Sequence, residues 1–70
     1  MRYLIVIEKT KSGFSAYSPD VPGCVATGPT RGRAERAMRE AIEFHLEGLR
    51  AAGRRVPAPR SSSAYVDVPA

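Results

Sequence analysis

Seventy residues supply one domain and no second one, and a chain this short buries only roughly 60% of the surface it exposes when unfolded. The single cysteine, Cys24, rules out an internal disulfide, and the single histidine, His45, rules out a Cys/His zinc cluster, so self-association is the expected source of added stability. Eleven Lys and Arg against seven Asp and Glu give a net charge of +4, which attracts nucleic acid or acidic partners without fixing any fold.

The opening segment, Met1 to Glu8, carries one basic residue and a five-residue apolar run, too short for a signal-peptide core and far too short to cross a bilayer. The cytoplasm is the expected compartment, and a lone thiol fits its reducing conditions. Tyr3 to Glu8 reads as a first strand, with Tyr3, Ile5 and Ile7 on one face and Leu4 and Val6 on the other. Lys9 to Gly13 is a polar turn, and Phe14 to Ser18 is a second strand that closes a hairpin.

Next comes Pro19-Asp20-Val21-Pro22-Gly23-Cys24. Two prolines with fixed φ and one permissive glycine specify a shaped connection, and an acid beside proline braces its own turn. Cys24 to Thr27 is a short third strand, ended by Gly28-Pro29.

Thr30 is a suitable N-cap, and the periodic pattern runs from there to about Ala52, with Gly53 placed for a left-handed cap. At 3.6 residues per turn, Ala34, Met38, Ala41, Ile42, His45, Leu49 and Ala52 form one stripe, opposite Arg36, Arg39, Glu40, Glu43, Glu47 and Arg50. This is a surface helix with one face on a sheet. After a Pro- and Ser-rich connection, Ala64 to Val68 alternates as a fourth strand ended by Pro69.

These directions predict a single α+β domain over residues 1–70, of order β-β-β-α-β. Three strands form an antiparallel meander, and the fourth, after a right-handed crossover, lies parallel to the first. One helix covers one sheet face, so Tyr3, Ile5, Ile7 and Tyr17 supply a candidate oligomer or partner face.

Chemistry is weakly signalled. Cys24 is either a nucleophile or a small buried residue, and no base or positive field stands beside it in sequence. His45 lies within the apolar stripe, with no orienting partner evident. The acids are spread over strand ends, loops and the outer helix face, whereas a two-metal nuclease needs them to converge. No catalytic, cofactor or metal residue is therefore assigned. Arg31, Arg33, Arg36 and Arg39 are either a solvated face or contacts for an anion or acidic partner. The placement of Arg31 and Arg33 against the helix macrodipole favours testing the second reading.

The sequence from Ile7-Glu8 through Gly13-Phe14 and Ala16 to Ser18-Pro19-Asp20-Val21-Pro22-Gly23-Cys24 resembles the opening of the HicB-like antitoxin family. So do Gly28 with Thr30, the helix stretch Ala41 to Leu49, and Pro57 and Pro59 after it. The resemblance implies a partial, degenerate RNase H-like fold in which Pro19, Asp20, Pro22, Gly23 and Cys24 form the structural family loop. It also implies a homo-oligomer, dimer or tetramer, that binds a small HicA-type mRNA-cleaving toxin and has no catalysis of its own. The C-terminal DNA-binding module of many family members has no counterpart before Ala70. Arg31, Gly32 and Arg33 stand where the family tends to be acidic. An orphan domain binding nucleic acid or another partner through its arginine-rich helix is the alternative.

Overall fold

Val6–Lys9 (β1) and Phe14–Tyr17 (β2) pair antiparallel, with Val6 opposite Tyr17 and Lys9 opposite Phe14. Val25–Gly28 (β3) pairs antiparallel on the other side of β2, Tyr17 opposite Val25 and Phe14 opposite Gly28. A 21-residue helix, Arg31–Ala51 (α1), then crosses one face of the sheet. The computed structural model describes all 70 residues, Met1–Ala70.

Each strand boundary has a local cause. At the hairpin, Thr10 N–H donates to the Gly13 carbonyl (2.8 Å) and Gly13 N–H to Thr10 Oγ1 (3.1 Å), so residues 10–13 close the turn on themselves. At the other end the β1–β2 ladder stops at Val6, because Pro19 has no N–H to extend it. The Ser18 hydroxyl takes over, donating to the Leu4 carbonyl at 2.8 Å while itself buried. The first strand therefore begins at Val6 rather than at Tyr3. The third begins at Val25 rather than at Cys24, since Cys24 N–H is already committed to the Val21 carbonyl.

The helix is fixed at both ends. Thr30 Oγ1 accepts from Arg33 N–H at 3.1 Å, one of the donors that a helix start leaves unpaired. At the C-terminus Gly53 N–H donates to Arg50 and Arg54 N–H to Leu49, with Gly53 at φ 70°. That pair of bonds is the Schellman arrangement. Gly28 sets the approach of sheet to helix, because a Cβ there would lie 2.6 Å from Ala34 N and 2.9 Å from the Arg33 carbonyl carbon.

The core lies between α1 and the sheet. Met38, Ile42 and Leu46 from the helix meet Ala16, Val21 and Cys24, and Ala34 is buried where the helix starts. The buried helix row is thus 34, 38, 42 and 46, a single i+4 ridge. Leu46 belongs to it, whereas Ala41, His45 and Leu49 are half-buried on its flank and Ala52 is exposed. The helix lies closest to β3, less closely to β2, and only grazes β1.

The end of the chain departs from the expected β-β-β-α-β class. Ala64–Val68 forms no strand; the sheet has three strands in the order β1-β2-β3, and no fourth lies parallel to the first. The architecture is a three-stranded antiparallel meander with one helix. Alternation determines which side chains share a face, but a strand also needs an edge to pair with. Here the chain is held at Arg60 and Ser61 by Asp20, and every residue beyond is exposed.

Candidate functional site

The proline-bracketed loop consists of two turns that share one residue. Val21 N–H donates to the Ser18 carbonyl and Cys24 N–H to the Val21 carbonyl, each at 3.3 Å, with a proline at the second position of each turn. Gly23, third in the second turn, has φ 87°, the left-handed geometry that a type II turn requires there. Val21, common to both turns, is driven fully into the core. The loop thereby anchors the β2–β3 connection beneath the helix.

Asp20, half-buried on the same loop, does more than brace its own turn. Its Oδ2 accepts from the backbone N–H of Arg60 (2.9 Å) and of Ser61 (2.8 Å), and Oδ1 accepts from the Ser61 hydroxyl (2.9 Å). The Ser61 N–H chiefly holds the carboxyl below its usual range. Partial desolvation opposes this, and the Arg60 N–H, the Ser61 hydroxyl and the Arg60 charge assist. Sequence pattern gives no sign of this contact, which joins residues 40 apart.

Cys24 is buried, its Sγ donates to the Ala41 carbonyl at 3.8 Å, and burial raises its pKa. A thiol so placed is a packing element and a poor nucleophile. His45 is half-buried on the same flank of the helix, in a shallow groove that it shares with Cys24 and the exposed Phe44. No three His, Cys, Asp or Glu side chains come together as a metal-binding group.

The four residues expected as a partner face divide between two surfaces. Tyr3, Ile5 and Ile7 turn toward the helix and pack against the core, each half-buried. Tyr17 lies on the opposite face, directly between Val6 and Val25. Those three form an apolar row across the uncovered side of the sheet, with Tyr17 exposed and Val25 73% exposed. Val25 was legible from parity in the third strand, where it alternates with Ala26 facing the core.

The half-buried trio lines a second feature, a groove between β1 and the helix. Ile42 and Leu46 form its other wall, and Arg31, Arg39 and Arg50 stand along its helical rim with Glu35 and Glu43. Of the four candidate anion-contact arginines, Arg31 and Arg39 border this groove and Arg33 and Arg36 do not, although all four are exposed.

An uncovered apolar sheet face, a basic-rimmed groove and a thiol sealed by packing mark a small α+β domain. Among known proteins, the model for "HicB_like antitoxin of bacterial toxin-antitoxin system" matches residues 3–70. The chain belongs to that family, as an antitoxin-like domain. In the solved HicA3 and HicB3 toxin–antitoxin complex, one chain superposes with a TM-score of 0.72 at 37% identity, over 86% of this chain and 70% of that one. The crystal structure of antitoxin HicB3 gives 0.71 at 37% identity, over 86% of this chain and 44% of that one. An uncharacterised 14.9 kDa protein of Haemophilus phage HP1 is 38% identical over 69 residues, covering 99% of this chain and 52% of its own length. A UPF0150 protein of Helicobacter pylori is 44% identical over 46 residues, 66% of this chain and 64% of that protein. The chain therefore spans about half the phage relative and under two thirds of the Helicobacter one.

Proposed function

We propose that this domain neutralises a small HicA-type, mRNA-cleaving toxin by binding it directly, and that it does so in the cytoplasm as a homo-oligomer. The observation that carries the reading is the similarity to HicB3, in a structure described as a toxin–antitoxin complex. The Val6–Tyr17–Val25 row supports it, since an apolar strip on an uncovered sheet is the kind of surface a partner covers. Neutralisation needs no group on this chain to react, which suits a sealed thiol and dispersed acids. Co-expression with the product of any small open reading frame beside its gene tests the reading: a stable complex and rescue of growth are expected, and neither appearing would overturn it.

A second reading, nucleic-acid binding through α1, draws on Arg31, Arg33, Arg36 and Arg39 all being exposed within one short stretch of helix. Affinity for RNA or DNA would then fall steeply with added salt. No salt-dependent shift with either would remove it.

A further inference from the structure

The chain carries two unsatisfied halves of one contact. From Ser62 to Ala70 every residue is exposed, including Tyr65, Val66 and Val68, and the segment alternates as a strand does. Its base is tethered, because Asp20 accepts three hydrogen bonds from Arg60 and Ser61. The other half is the groove beside β1, floored by Ile5, Ile7, Ile42 and Leu46, where β1 pairs with β2 alone and leaves its outer edge open. We infer that residues 62–68 form an exchanged arm that lies extended along the β1 groove of a second copy of this chain. This rests on the self-association proposed above and adds the segment that makes it and the seat that receives it.

Size, charge and connection agree on that occupant. Seven extended residues span roughly 23 Å, enough to line the roughly 17 Å of Tyr3 to Ile7. Asp67 is the only charged residue from Ser61 to Ala70, and the groove presents four arginines against two glutamates. With Val66 and Val68 turned to the apolar floor, Asp67 falls on the alternate side, toward the arginine rim. The chain also passes its own groove before the arm begins. Tyr3 OH, at the groove, donates to the Pro57 carbonyl, and the next anchor is Asp20 on the β2–β3 loop, outside the groove.

The surface points the same way. The chain exposes 5816 Å², against roughly 4,300 Å² for a compact monomer of its 7.6 kDa mass. Its radius of gyration is 13.9 Å, where roughly 11 Å is usual for this length. Two arms exchanged about a two-fold axis close the assembly and use both open β1 edges.

Light scattering and fluorescence on the full chain test this. The native chain is expected to be dimeric. Val66→Asp with Val68→Asp should weaken the dimer on the order of 100-fold or more, with helical circular dichroism unchanged because both sites are exposed in the monomer. Arg39→Glu with Arg50→Glu at the rim should weaken it about 10-fold. Val66→Trp gives a unique reporter on the floor-facing side, since the chain has no tryptophan, and its emission should shift to the blue as concentration rises. A dimer that ignores the valine changes would overturn the arm while leaving self-association standing. A monomer at every concentration would overturn both, and a blue-shifted emission independent of concentration would place the arm in its own groove and end the inference.

Discussion

Asp20 holds the tail as an ionised acceptor, and that makes the contact dependent on pH in one direction. Its carboxyl is held below the usual value of 3.8 by donors present only in the folded chain. The sign follows from linkage: the contact is complete above the ordinary carboxylate range and is lost as pH falls through the depressed value. Asp20→Ala removes all three bonds at any pH. The Arg60 and Ser61 amides are then expected to lose their protection from hydrogen exchange, and their NMR shifts should stop responding to acid. Sequence alone limited Asp20 to its own turn, because a contact 40 residues away leaves no local periodicity. The prolines and Gly23 were legible because φ is a local property: each constrains its own turn wherever the rest of the chain goes.

At the scale of elements, the helix was readable from its caps and its ridge was not fully so. Thr30 and Gly53 act through bonds to their immediate neighbours, so residue type was enough to place both ends. The buried row was displaced because α1 sits nearer β3 than β1, which rotates Leu46 inward and leaves Ala41, His45 and Leu49 on the flank. Strand limits failed for a related reason: Pro19 and the Cys24 turn bond cut the ladders from outside the strands. The first helical turn carries no acid, and Arg33 stands third in it. Arg33→Glu would remove a cation from the positive end of the dipole and allow a reciprocal bond to the Thr30 N–H, completing a capping box. Stability is expected to rise by about 1 kcal/mol, or roughly 4–8 °C in thermal unfolding. A fall instead would show that Arg33 holds a structural contact or a bound anion.

For the molecule as a whole, the same strip of sequence cannot say which copy it will pack against. Alternation in Ala64–Val68 predicted a fourth strand that the structure does not form, since alternation sets which side chains share a face and says nothing of an edge to pair with. The partner-face residues mixed two surfaces because Tyr3, Ile5 and Ile7 share parity but face the helix, and only pairing across strands puts Tyr17 with Val6 and Val25. This separation makes the two proposed contacts independent. Val25→Asp alters the uncovered face at a residue 73% exposed on an edge strand, so its effect on folding should be no more than about 1 kcal/mol. Burying that carboxylate against a partner without a matching cation is costly, and toxin affinity in a pull-down or calorimetric titration is expected to fall 10-fold or more. The Val66→Asp, Val68→Asp chain should keep its toxin affinity while losing its dimer. If instead Val25→Asp binds toxin as the native chain does, the Val6–Tyr17–Val25 row is not the toxin's surface, and the β1 groove becomes the place to look.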